Sequence, residues 1–167
     1  MADFPKLLES TATIRFQDCD PFNHLNNTNY IPYFLNARED QVLDAYDLDI
    51  YGIALKKGLT WLVITTKIAY FNPAMLMEEV IIESQLINYS EKDITVEMRM
   101  FNEEKSHLKA FIWMTFIHFN LKKNSVENHS KEYLDLFEKA VFPVEQKMFD
   151  ERHAALGQVK NMAEKAK

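Results

Sequence analysis

Apolar residues change their spacing twice along the chain. From Thr11 to Gln17 β-branched and apolar residues roughly alternate with polar ones, which predicts a first strand ending at the turn cluster Asp18-Cys19-Asp20-Pro21. From Thr28 to Tyr46 the spacing turns helical: Ile31, Phe34, Leu35, Val42, Ala45 and Tyr46 recur on one stripe, while Arg38, Glu39, Asp40 and Asp44 take other positions. Asn26, Asn27, Thr28 and Asn29 are four consecutive N-cap candidates, and Pro32 falls in the first turn, where no intrahelical donor is lost. After Gly52 and Gly58 the period returns to that of strands, in Trp61–Phe71, Val80–Tyr89, Asp93–Phe101 and His107–Leu121.

In the third of these later strands Ile94, Val96, Met98 and Met100 alternate with Thr95, Glu97, Arg99 and Phe101, so one face is expected to be buried and the other mostly wet. The last is apolar on both faces from Phe111 to Phe119, which marks an interior strand or one buried at a subunit contact. From Ser130 the spacing is helical again, with Leu134, Phe137 and Val141, and Pro143 is expected to start another helix carrying Val144, Met148, Ala155 and Val159. Residues 161–167 are expected to fray. The order is strand, long helix, four strands, terminal helices. Short connections favour antiparallel pairing, and wrapping the sheet around the helix buries both apolar surfaces. The fold class is therefore α+β, a five-stranded antiparallel sheet around a long central helix. The domain spans 1–125, with a C-terminal helical extension over 126–167.

The length of 167 residues fits one domain, and 47% hydrophobic with 26% charged residues is the make-up of a soluble globular protein. A net charge of −6 disfavours nucleic acid and anionic lipid as partners, and no basic patch reverses this. The single Cys19 forms no internal disulfide and excludes a Cys-rich zinc site, which fits a reducing cytoplasm. The start of the chain lacks the charge and apolar run of a signal peptide, and no apolar stretch approaches a membrane span. Gly52, Gly58 and Gly157 form no cluster, so phosphate-cradling and dinucleotide-binding glycine loops are absent.

The chemistry concentrates between Asp18 and Tyr30, where two carboxylates and a histidine lie between a strand end and a helix start. Free N–H groups at a helix N-terminus carry partial positive charge and stabilise an oxygen that gains negative charge during acyl transfer. A nearby carboxylate can attack the acyl carbon or activate water. The competing reading is that Asp18 and Asp20 shape a turn and the asparagines merely cap. Cys19 with His24 would allow a cysteine nucleophile, although free cysteine is usually a small buried hydrophobe. Asp18, Asp20 and His24 are three potential metal ligands, but no second His or Cys lies nearby, so no metal is expected.

The run Arg15-Phe16-x-Asp18-x-Asp20-x-x-x-His24-Leu25-Asn26-Asn27-x-x-Tyr30, followed by Tyr33-Phe34 and Ala37-Arg38, resembles the signature of hotdog-fold acyl thioesterases of the 4-hydroxybenzoyl-CoA thioesterase type. The resemblance implies a hotdog fold over about Thr11 to Lys122. It also implies Asp20 as the catalytic carboxylate and the Asn27 amide as the group that polarises the thioester carbonyl. His24, Phe22 and Tyr30 would shape the substrate site, and no cofactor is needed. It implies an acyl-CoA or acyl carrier protein thioester as substrate, with a non-catalytic acyl-binding module as the alternative. A homodimer or a tetramer built from dimers would cover the exposed sheet edge and the aromatic surface of Phe111–Phe119. Lys56, Lys57, Lys67, Arg99, Lys122 and Lys123 are candidates to meet coenzyme A phosphates.

Three positions depart from that pattern. Asn23 replaces the usual glycine before the histidine, and Asn is the next best residue for a positive φ. Phe22 stands where plant relatives carry an asparagine, which favours the simpler carboxylate mechanism. The family's Pro-x-x-x-Gly-Asp turn is replaced by Pro73-Ala74-Met75-Leu76-Met77-Glu78.

Overall fold

The computed structural model describes residues 4–165, with side chains as far as Gln158. Strand β1 (Leu7–Thr13) leads through a 3-10 turn (Phe16–Asp18) and a loop to a second 3-10 turn (Asn27–Asn29) and helix α1 (Tyr30–Tyr46). Helix α2 (Ile50–Lys57) precedes strands β2 (Leu59–Tyr70), β3 (Glu79–Tyr89), β4 (Asp93–Asn102) and β5 (Leu108–Asn120). A two-residue strand β6 (Ser125–Val126), helix α3 (Lys131–Ala140) and helix α4 (Phe149–Lys165) complete the chain.

The sheet runs β1-β3-β4-β5-β2, antiparallel throughout, with β6 paired to β5. The five expected strands are present, and β6 is a sixth that its two residues were too short to signal. Register aligns one apolar face across three strands: Ile82 lies opposite Met100, and Met98 opposite Ile112. That face packs against Tyr30, Phe34 and Ala37 of α1. Phe34 is fully buried, and truncating such a side chain to alanine costs about 3–5 kcal/mol. The sheet curls around a long central helix, which is the hotdog arrangement.

The structure corrects three expectations. The first strand occupies Leu7–Thr13 rather than Thr11–Gln17, because β1 pairs with β3 from Leu7↔Gln85 to Thr13↔Glu79 and the chain then turns away. Pro143 does not start a helix: residues 143–148 carry none, and α4 begins at Phe149. The second face of β4 is not wet. Glu97 is only 1% exposed there, because Arg152 of α4 donates to its carboxylate at 2.7 and 2.8 Å while Arg99 and the Trp113 indole donate at 2.9 and 2.7 Å. β5 is an interior strand, the first of the two readings its apolar faces allowed, and Phe149 of α4 stacks on Phe111 with ring centres 4.7 Å apart and meets Trp113 edge-on.

Helix α2 was not foreseen, since eight residues with a central Gly52 carry little periodic signal. It is held by its ends: the Asp49 carboxylate accepts from Gly52 N at 2.8 Å, and Gly58 closes it at φ 70. The fraying expected over 161–167 falls partly on residues 166 and 167, which lie outside the described residues, and the α4 backbone is helical to Lys165. Among the described residues no helix is long and apolar enough to cross a membrane.

Candidate active site

Asp20 organises the loop that follows β1. One carboxylate oxygen, Oδ1, accepts hydrogen bonds from the backbone N–H of Phe22 at 2.9 Å and of His24 at 3.1 Å. The Asp20 amide donates to His24 O at 2.8 Å, and the Asn23 amide to Asp20 O at 3.1 Å. Closing this turn requires a left-handed residue, and Asn23 supplies it at φ 62, in the place where asparagine was expected to stand in for glycine. The loop is then tied to the segment before β3. Leu25 N donates to Ala74 O at 2.8 Å and Leu76 N donates to Asn23 O at 2.9 Å.

Asn26 begins the helical stretch, its Oδ1 accepting from Thr28 N at 3.0 Å and from the Thr28 hydroxyl at 2.8 Å. The Asn27 amide opens the 3-10 turn that runs into α1, so helical geometry gives it no intrahelical acceptor and it carries the partial positive charge of a helix start. The Tyr70 hydroxyl donates to Asn27 O at 3.0 Å. Tyr70 also meets the Tyr30 ring edge-on, with centres 5.1 Å apart. Tyr30 is buried, and its oxygen accepts from Ala74 N at 3.1 Å. Burial above all raises the Tyr30 phenol pKa; the Ala74 hydrogen bond opposes this, and the nearby Tyr70, Glu78 and Asp20 add to the rise.

Asp18 is engaged differently. The Tyr33 hydroxyl donates to its Oδ2 at 2.8 Å, and its backbone oxygen accepts from Asn26 N and from the Asn29 side chain, both at 2.9 Å. Both contacts hold the loop against α1. The Cys19 thiol donates to Arg15 O at 3.4 Å, and burial, then Asp18 and Asp20, raise its pKa, which leaves less of the thiolate a nucleophile needs.

Of the residues singled out in the sequence, Asp20, Phe22 and His24 share one turn, and Tyr30 meets the same loop through Ala74, whose amide donates to the Tyr30 oxygen and whose carbonyl accepts from Leu25 N. No hydrogen bond joins Asp20 to Asn27 among the described residues; Tyr70, which packs on Tyr30, donates to Asn27 O. Phe22 is 76% exposed, so its ring borders solvent. The His24 ring makes no hydrogen bond among the described residues. Arg99 does not face a ligand: it is held by Glu83, Glu97 and Gln85. Tyr70 and Glu78 were missed, because they lie some 40 residues or more from the motif and only folding brings them to it. Glu78 accepts from Met75 N at 2.7 Å and pairs with Lys109 at 2.7 Å, which closes the turn that replaces the Gly-Asp pattern.

The fold has counterparts among solved structures. The chain aligns with the probable thioesterase YbaW of Escherichia coli at a TM-score of 0.68 and 22% identity, covering 81% of this chain and 99% of that one. It aligns with the hypothetical protein SAV2348 of Staphylococcus aureus, solved in complex with CoA, at 0.74 and 13% identity, covering 87% and 92%. The DHNA-CoA thioesterase of Staphylococcus aureus aligns at 0.68 and 17% identity, covering 96% and 95%. No curated protein sequence matches. Residues 14–156, from the end of β1 well into α4, match one family as a whole, and on that match the chain belongs to the thioesterase-like superfamily.

Proposed function

We propose that the protein hydrolyses an acyl-CoA thioester to a carboxylic acid and free coenzyme A, with Asp20 as the reacting carboxylate and the Asn27 amide as the donor to the thioester oxygen. The observation that carries this is the Asp20 turn. Oδ1 is fixed by two backbone amides, while Oδ2 has no protein partner among the described residues and is the oxygen free to react. A carboxylate held in this way loses little freedom on meeting a substrate.

Two routes use the same atoms. In one, Oδ2 attacks the carbonyl carbon, the C–S bond breaks with its electron pair leaving on sulfur, and water hydrolyses the resulting anhydride. In the other, Oδ2 takes a proton from the water that attacks. Each consumes one water and releases one acid and one thiol, and neither calls for a metal or organic cofactor. The carbonyl oxygen gains negative charge in both, and the helix start at Asn27 meets it with an N–H and the positive end of the α1 dipole. Tyr30 and His24 shape the space around the carbon, and Phe22 flanks it from the exposed side.

The CoA bound by SAV2348 supports coenzyme A over acyl carrier protein as the thiol carrier here. The 4-hydroxybenzoyl-CoA subtype, a cytoplasmic location and pairing of two copies belong to the same proposal. Residues 126–158 are part of the hotdog unit in this reading, since α3 and α4 pack on its sheet. The test is free thiol release from a panel of aliphatic and aromatic acyl-CoA substrates, followed with a thiol dye. Turnover on at least one member is expected. Saturable acyl-CoA binding without thiol release would favour a non-catalytic acyl-binding module instead.

A further inference from the structure

Of the consecutive backbone amides from Leu25 to Asn29, all but one are bonded. Leu25 N donates to Ala74 O at 2.8 Å, Asn26 N to Asp18 O at 2.9 Å, Thr28 N to Asn26 Oδ1 at 3.0 Å and Asn29 N to Asn26 O at 2.8 Å. Among the described residues the Asn27 N–H has no acceptor, and Asn27 is exposed. It is the amide of this stretch that is left for an incoming oxygen.

Two peptide planes meet at Asn27, and both are held. The plane that carries the Asn27 N–H also carries Asn26 O, which Asn29 N holds. The next plane carries the Thr28 N–H, held by Asn26 Oδ1, and Asn27 O, which accepts from the Tyr70 hydroxyl at 3.0 Å. Because peptide groups are planar, bonds to these atoms also set where the free N–H points. The other bonds on these planes come from the helix start itself. Tyr70 alone reaches in from the sheet, 43 residues along the chain. Its backbone is fixed by pairing with Ala110 of β5, and its ring by the edge-on contact with Tyr30, ring centres 5.1 Å apart. Desolvation raises the Tyr70 phenol pKa, so the hydroxyl keeps its proton and remains a donor at neutral pH.

We propose that Tyr70 is a positioning residue for thioester hydrolysis: its hydroxyl ties the helix start to β2 and so sets the direction in which the Asn27 N–H meets the thioester oxygen. The assignment rests on the proposed function, and Tyr70 itself touches no reacting atom. A donor aimed in advance at the place where charge develops acts mainly on the transition state, so its loosening lowers kcat more than it raises KM. Removing such a donor outright costs about 10²–10³-fold in kcat, and a donor kept but less well aimed is expected to cost about tenfold.

Two measurements on Tyr70→Phe test this, since phenylalanine keeps the ring against Tyr30 and removes only the hydroxyl. The first is kcat and KM on the best acyl-CoA substrate across a range of pH. The variant is expected to lose about tenfold in kcat with KM little changed and the shape of the pH profile kept, because Tyr70 transfers no proton. The second is backbone amide hydrogen exchange by NMR on the protein without ligand. The Thr28 and Asn29 amides are expected to exchange roughly tenfold faster in the variant while those of β4 are unchanged. Undiminished kcat in Tyr70→Phe, beside turnover by the unaltered protein, overturns the assignment and leaves the hydrolase reading intact. Exchange that is unchanged at Thr28 and Asn29, or faster by the same factor throughout the sheet, overturns it too. Absence of thiol release from the unaltered protein instead fails the hydrolase reading, and the exchange comparison then decides alone whether Tyr70 holds the helix start.

Discussion

Two aspartates two positions apart have been given different work by the bonds around them. Asp18 accepts at Oδ2 from the Tyr33 hydroxyl and at its carbonyl from Asn26 and Asn29, while Asp20 accepts at Oδ1 from the Phe22 and His24 amides of its own turn. Each carboxylate keeps one oxygen without a protein partner among the described residues, and the free oxygen of Asp20 is the one in the turn that carries His24. Spacing could suggest the distinction, but only the partners explain it, because Tyr33 of α1 binds the Asp18 carboxylate and leaves that of Asp20 to its own turn. Between them Cys19 contributes packing and one weak sulfur hydrogen bond. Cys19→Ser is therefore expected to keep most of the thioesterase rate and to lose on the order of 1 kcal/mol of stability through the smaller, more polar side chain. Steady-state kinetics beside a denaturant melt check both. A folded variant slowed by several orders of magnitude would make Cys19 the nucleophile.

At the scale of elements, long periodic segments were legible in the sequence and short ones were not. Helix α1 and strands β2 to β5 begin and end within about two residues of where spacing placed them, because each has a run of apolar positions that only one periodicity fits. Strand β1 slipped because its place is set by pairing with β3, and because Arg15 to Asp18 fold into a 3-10 turn capped by the Tyr33 hydroxyl on Arg15 N. The outer face of β4 misled for a related reason: charged Glu97 and Arg99 look solvated until Arg152 arrives from α4. The turn before β3 keeps its shape without its glycine. Met77 sits at φ 62, its amide donating to Ile14 O at 2.9 Å, and its side chain is exposed. A left-handed non-glycine residue costs about 1–2 kcal/mol, and glycine returns part of that as greater freedom of the unfolded chain. Met77→Gly should stabilise the fold by roughly 0.5–1 kcal/mol in urea denaturation. A destabilised variant would show that the Met77 side chain makes contacts of its own.

At the scale of the whole molecule the sheet ends in two edge strands, β1 and β2, of which β2 is the longer. Strand β2 is paired only to β5, and along its other side Leu62, Val63 and Ile64 are exposed around a bulge after Val63. An unpaired edge with apolar side chains is a template for another strand. Of the β5 aromatics that the sequence suggested for that role, Phe111 and Trp113 pack against Phe149 of α4, which leaves the β2 edge as the pairing surface. The protein is expected to run in light scattering at micromolar concentration as two copies of its 19.7 kDa chain. Ile64→Lys, a charge at the exposed bulge, should shift it toward one copy without unfolding it. A single-chain mass for the unaltered protein, or a dimer indifferent to Ile64→Lys, would contradict pairing through this edge.

The central claim is that the free oxygen of Asp20 does the chemistry. Asparagine at position 20 keeps Oδ1 as acceptor for Phe22 and His24, so the turn survives while the reacting oxygen becomes an amide nitrogen. The measurement is kcat and KM for Asp20→Asn and Asp18→Asn on the best acyl-CoA substrate. Asp20→Asn should lower kcat by on the order of a hundredfold or more with KM little changed, and Asp18→Asn should be far milder. Equal losses from the two variants, or full activity in Asp20→Asn, would contradict the assignment.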